Sequence, residues 1–132
     1  MSKPLKVGVI GLGVGEQHAI SYNEIEGVEV VALCDIDPGQ LTEVADRQGI
    51  SSRHTDYKAI TENPDIDIVS ICSYDDHHVE QAISAFENGK HVMVEKPVAL
   101  NRGDAERLLR AQQDSGKFIT SNLILRHSAR FK

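Results

Sequence analysis

Short runs of apolar and β-branched residues alternate along the chain with longer segments in which apolar residues recur every three or four positions. Leu5–Ile10 is the first run, ended by Gly11, and Val28–Cys34 repeats it, ended by Asp35. Ile66–Cys72 and His91–Val94 follow, with a weaker run at Phe118–Ser121. Runs this short, with Val and Ile prominent, predict strands buried on both faces. Helices are predicted between them. Gly15 to about Glu26 carries Ala19, Ile20 and Ile25. Asp37–Gln48 opens with an N-cap Asp and a first-position Pro, places Leu41, Val44 and Ala45 on one face and closes on Gly49. Asp75–Asn88, with Asp75 or Asp76 as its cap, aligns Val79, Ala82, Ile83 and Phe86 ahead of a left-handed Gly89. Asn101–Ser115 starts with Asn-x-x-Asp and ends at Gly116. A small strand at Ser52–His54 and a short helix at Tyr57–Glu62 complete the series.

Strand–helix alternation from end to end implies a parallel sheet with right-handed crossovers. The expected fold is α/β, a doubly wound parallel sheet (Rossmann fold) with strand order 3-2-1-4-5-6. In that order the strands ending at Cys34 and Cys72 flank the first strand. About 9–10 Å then separates the two cysteines, too far for the roughly 7 Å that a disulfide spans, so both are expected to be reduced.

Composition narrows the class of partner. At 132 residues and 40% hydrophobic, the chain suits one globular domain and excludes wholesale disorder. No apolar run approaches the ~18–20 residues that cross a bilayer. The chain opens without a basic-then-apolar leader, so a cytoplasmic protein is expected. A net charge of −6 repels a phosphate backbone, and zero Trp leaves few platforms for stacking bases, so no nucleic acid is expected as partner.

The first crossover reads Gly11-Leu12-Gly13-Val14-Gly15-Glu16. Glycines after a strand let the backbone turn sharply and approach a pyrophosphate, and the next helix offers free N–H groups and the positive end of its dipole. The spacing is unusual: the third glycine comes at Gly15, one residue early, and Glu16 stands in its ordinary place. Asp35 ends the second strand, 20 residues after Gly15, where an acid accepts hydrogen bonds from an adenosine ribose. The same carboxylate repels a 2′-phosphate, which favours NAD over NADP. Glycines plus such an acid also fit methyltransferases that use S-adenosylmethionine, so the rest of the chain must decide.

Ser73-Tyr74-Asp75-Asp76-His77-His78 follows the fourth strand and lies over the crevice where strand order reverses. His77 and His78 are adjacent and diverge on a helix, with no third ligand near, so no metal is expected. Glu95-Lys96-Pro97 ends the fifth strand. Lys96 would enter the crevice, where a cation orients a substrate oxygen and stabilises developing alkoxide charge. Pro97 sets the exit angle and is a candidate for a cis peptide.

Val7–His18, Val30–Pro38, Ile68–Gln81 and Gly89–Pro97 together resemble the N-terminal domain of the glucose–fructose oxidoreductase/inositol dehydrogenase (Gfo/Idh/MocA) family, Glu95-Lys96-Pro97 being the most specific match. The resemblance disfavours the methyltransferase. It implies a nicotinamide-dependent oxidoreductase acting on sugars, polyols or related carbonyl compounds. Gly11, Leu12, Gly13, Val14 and Gly15 would then wrap the pyrophosphate, and Asp35 would hold the ribose. Ser73, Tyr74 and His78 would border the cofactor, while Glu95 and Lys96 approach the nicotinamide and the substrate. The glycine loop is one residue shorter than the family's common form, and Tyr74 stands where the family often has Pro.

Family members carry a second α/β domain that supplies most of the substrate pocket. Residues 1–122 are accordingly expected to form the cofactor domain and 123–132 the start of a connection to a domain not in this chain. The chain alone is expected to bind NAD without turning over substrate, and to form a homodimer through Phe118–Lys132. A stand-alone, non-catalytic dinucleotide-binding module is the alternative.

Overall fold

The computed structural model describes residues 3–121. Six parallel strands form one sheet: β1 (Leu5–Ile10), β2 (Val28–Cys34), β3 (Arg53–His54), β4 (Ile68–Ile71), β5 (His91–Val94) and β6 (Ile119–Ser121). Their order is β3-β2-β1-β4-β5-β6, as the alternation predicts. The helices are α1 (Gly15–Asn23), α2 (Pro38–Gln48), α3 (Lys58–Thr61), α4 (His78–Glu87) and α5 (Arg102–Ser115).

Two buried clusters hold the layers together. On one face Val7, Val9, Val30 and Leu33 of the sheet meet Ala19 of α1 and Leu41, Val44 and Ala45 of α2. On the other, Ile10, Ala32, Val69, Ile71, Val92 and Val94 meet Ile60 of α3, Val79, Ala82, Ala85 and Phe86 of α4, and Leu108 of α5. Central strands therefore contribute side chains to both layers, which is why they read as unbroken apolar runs.

Several boundaries differ from the sequence expectation. α1 stops at Asn23 rather than near Glu26, because Glu24 to Gly27 turns back to feed β2, with Gly27 at φ +85°. β4 begins at Ile68, although Ile66 is buried as expected. The fourth helix starts with a 3₁₀ turn at Asp75–His77 before α4, and neither Asp75 nor Asp76 caps α4 with its side chain. The tight turn supplies the backbone bond His77 N–H to the Tyr74 carbonyl at 2.9 Å instead. Other caps match: the Asp37 carboxylate accepts from the Gly39 and Gln40 amides, Asn101 accepts from the Asp104 amide, and Gly49 and Gly116 are left-handed.

The expected segment at 123–132, and most of the expected dimer segment, lie outside the described residues. Among the described residues, no helix is long and apolar enough to cross a membrane.

Candidate functional site

The carboxyl ends of β1, β2 and β4 open into a cleft of about 700 Å³. Its wall includes Gly11, Leu12, Gly13 and Val14 from the first crossover, Asp35, Ile36, Asp37 and Gln40 from the second, and Cys72, Ser73 and Tyr74 after β4. This is the switch point of the sheet: β1 sits between β2 and β4, so the chain leaves it to one side and returns to the other.

The three glycines of the loop have three different physical reasons. Gly11 has φ +89°, and a Cβ there would stand 2.6 Å from the Cys72 carbonyl and the Ser73 nitrogen. Only glycine lets the loop pass so close to the end of β4. Gly15 lies beneath the cleft rather than on its wall. A Cβ on it would come within 3.0 Å of Val9 and 3.4 Å of Cys72, so its role is to let α1 pack against the sheet. Gly13 is different: a Cβ there would meet no protein atom within 4 Å, and its φ is not positive. Neither packing nor backbone demands glycine at 13, and the space beside it belongs to the cleft.

Glu16, standing where a glycine is usual, is turned away from the cleft. Arg47 of α2 donates two hydrogen bonds to its carboxylate at 2.8 and 2.9 Å, and Gln48 a third at 3.0 Å. These donors hold the Glu16 carboxyl below the usual carboxylate range. The first turn of α1 thus keeps its unpaired N–H groups for an anion without a loose carboxylate competing for them.

Asp35 occupies the end of β2. One carboxylate oxygen accepts the Leu12 N–H at 2.8 Å and the other the Asp37 N–H at 2.8 Å. Each oxygen keeps a second lone pair able to accept a further hydrogen bond. Cys34, just before it, is a free thiol pushed up to about 12 by burial, with the Asp35 and Asp56 charges adding to the shift. Cys72 is also free, and burial pushes it up to about 12 with a contribution from Glu95.

The β4–β5 side is organised by two histidines. Ser73 and Tyr74 line the cleft, Tyr74 being 70% exposed. His78 is buried behind them, its Nε2 2.9 Å from the Ser73 carbonyl and its Nδ1 2.8 Å from the Pro97 carbonyl. It therefore ties the β4 loop to the segment after β5 and acts on the cleft through Ser73. Glu95 turns to α1, its Oε1 2.6 Å from His18 Nε2. Lys96 follows at the same end of β5, and the Lys96–Pro97 peptide is cis. Among the described residues, Gly15, His78, Glu95 and Lys96 stand outside the cleft wall.

Sequence reasoning did not single out Gln40, His18 or Gln81. Gln81 accepts the Ser73 hydroxyl at 2.6 Å, and Gln40 donates to the Leu12 carbonyl at 3.1 Å. Each is a polar helix residue whose partner lies in a distant segment or turn, so nothing in the local pattern marks it.

Residues 5–123 match the model of the oxidoreductase family described as an NAD-binding Rossmann fold, Gfo/Idh/MocA. The chain belongs to that family. Among Gfo/Idh/MocA proteins, the inositol 2-dehydrogenase of Salmonella typhimurium is 34% identical over 116 residues, which cover 86% of this chain and 34% of the relative. The solved myo-inositol 2-dehydrogenase of Lactobacillus plantarum superposes with a TM-score of 0.88 at 31% identity, covering 96% of this chain and 38% of that one. A biliverdin reductase from Synechocystis, solved with biliverdin and NADP+, gives 0.89 at 25% identity, covering 94% and 39%. The chain therefore spans little more than a third of the length of these relatives. Family membership removes the methyltransferase alternative.

Proposed function

We propose that this chain is the cofactor-binding domain of an NAD-dependent oxidoreductase that moves hydride to or from a sugar, a polyol or a related carbonyl compound. The observation that carries the reading is the open space at Gly13, beside the free N–H groups that begin α1 and within reach of Asp35. A side chain at 13 would fill the place of a pyrophosphate, and no protein atom takes it. The Gly13 and Val14 amides would hold the phosphates, since the Gly11 N–H donates to the Cys34 carbonyl at 2.8 Å and the Leu12 N–H to Asp35 at 2.8 Å. Asp35 would hold the adenosine ribose, and its charge would reject a 2′-phosphate, so NAD is preferred over NADP.

When bound, the nicotinamide supplies a hydride acceptor or donor. Lys96 would orient and polarise the substrate oxygen from the end of β5, with Glu95 beside it held by His18. The inositol dehydrogenases among the relatives support a polyol substrate. The free thiols fit a reducing cytoplasm.

The β6 edge supports a further part of the reading. Leu100, Leu109 and Phe118 are more than half exposed there, beside β6, the end strand of the sheet among the described residues. Such a surface favours association, and we assign it to a homodimer formed through the segment from Phe118 onward.

Titration with NADH and NADPH tests the cofactor assignment. NADH should bind more tightly, and Asp35→Ala should erase the difference. Equal affinities in the unaltered chain would refute the preference.

A further inference from the structure

The N–H and the carbonyl of Leu12, which belong to the peptide planes before and after its Cα, are both gripped from outside the glycine loop. Asp35 accepts the Leu12 N–H at 2.8 Å, and Gln40 Nε2 donates to the Leu12 carbonyl at 3.1 Å. Held on both sides, Leu12 cannot turn without breaking one of these bonds. Gln40 lies in the first turns of α2, seven and eight residues before Arg47 and Gln48. That spacing puts the three side chains on one helix face. Arg47 and Gln48 grip Glu16, at the far end of the same loop. One face of α2 therefore holds the loop at both ends, with Gly13, Val14 and Gly15 between.

The need for such a brace follows from the sequence. Glycine-rich backbone loses more conformational freedom on ordering than any other. A loop ordered before its ligand arrives leaves more of the contact energy for binding. Gln40 suits the task because a neutral amide donates without placing a carboxylate beside an anion.

We infer that α2 is an external brace for the shortened glycine loop, and that Gln40 is a positioning residue that sets the peptide after Leu12 for phosphate. The inference rests on the dinucleotide reading above. It assigns Gln40 no contact with the adenosine half of the ligand.

The test compares ADP with adenosine on the 132-residue chain, unaltered and as Gln40→Leu, which keeps bulk and removes the donor. Binding is followed by amide chemical shifts, which also report folding. Loss of one neutral hydrogen bond should weaken ADP about three- to tenfold and leave adenosine within a factor of about two. The Leu12 amide should exchange its hydrogen faster in the variant. Arg47→Ala combined with Gln48→Ala, at the far end of the loop, should act in the same direction with a smaller effect. Equal weakening of ADP and adenosine would mean general damage or direct contact, and unchanged ADP affinity would mean no brace. Either result overturns the inference. If the unaltered chain binds neither ADP nor NADH, the dinucleotide reading itself fails, an outcome distinct from both.

Discussion

On the β1–β2 side of the switch point, the glycine loop, Asp35 and Gln40 are cross-linked by hydrogen bonds of 2.8 to 3.1 Å. On the β5–β6 side, Leu100, Leu109 and Phe118 are exposed by 58%, 55% and 75%. The first region is braced: Leu12 and the Asp35 carboxylate are paired, and its exposed apolar residues, Val14 and Ile36, line the cleft beside the unpaired N–H groups that begin α1. The second carries an apolar surface with little to cover it among the described residues. The contrast teaches that cofactor binding and chemistry make different demands on the fold. Holding a dinucleotide needs the ends of three strands and one helix terminus, all of which lie here. On the proposed reading, burying a substrate beside Lys96 would need a second wall.

The largest effects are expected at two faces of the loop, the inner one at Gly11 against the end of β4 and the outer one at Gly13 toward the cleft. Gly11→Ala should destabilise the fold by about 2–5 kcal/mol, since it combines positive-φ strain with overpacking against the Cys72–Ser73 backbone. Gly13→Val should leave stability within about 0.5–1 kcal/mol, as at other sites without close packing, yet weaken NADH. Urea unfolding with NADH titration separates the two. Similar stability losses in both variants would show that the loop is merely structural.

Next in size is Asp35→Ala. Loss of charge-assisted hydrogen bonds to the ribose should weaken NADH by about 10–100-fold, while NADPH, relieved of repulsion, changes far less. Part of the loss will come through the loop, because the Leu12 N–H also loses its acceptor.

Lys96→Ala should change NADH affinity by less than about threefold, well below the cost of a buried charge pair, because Lys96 stands outside the cleft wall. The unaltered chain should likewise give no useful polyol oxidation, since general acid–base catalysis alone contributes about 10²–10⁴-fold. Turnover abolished by Lys96→Ala would show that the β5 side is complete without a second wall.

The smallest effect is expected at the thiols. Cys72 lies against the glycine loop, and burial raises its thiol to about 12. A folded-state value raised above the unfolded one gives stability that is fully present below the ordinary thiol value. That contribution is lost as pH climbs from there toward about 12, and Cys34 behaves alike. Near pH 8, alkylation of Cys72 should therefore be slow in the folded chain and fast in urea. Rapid alkylation of the folded chain would place Cys72 in a more open cleft than the one described.

The fold was legible because each run of Val and Ile stops at a residue with one physical meaning. Gly11 ends β1 and Asp35 ends β2, and the Asp37-Pro38 pair starts α2. Boundaries set by tertiary geometry were not legible. The 3₁₀ entry to α4 depends on how the β4 loop meets the sheet, and the early end of α1 on the turn into β2. The site divides the same way. Gly11, Asp35 and Ser73 can be read from spacing after a strand. Gln40 and His18 cannot, because each partner lies in another crossover, Gln40 reaching Leu12 and His18 reaching Glu95. Nor does spacing explain Glu16 in a glycine's place, until Arg47 and Gln48 are seen to draw it aside.

On the proposed reading, this chain alone holds a complete and preorganised dinucleotide site. Calorimetric titration of the purified 132-residue chain with NADH tests it most directly. One NADH should bind per chain, more tightly than NADPH, with binding weakened by Gly13→Val in a protein whose stability changes by no more than about 0.5–1 kcal/mol. No heat of binding at millimolar NADH, from a chain shown to be folded, would contradict it.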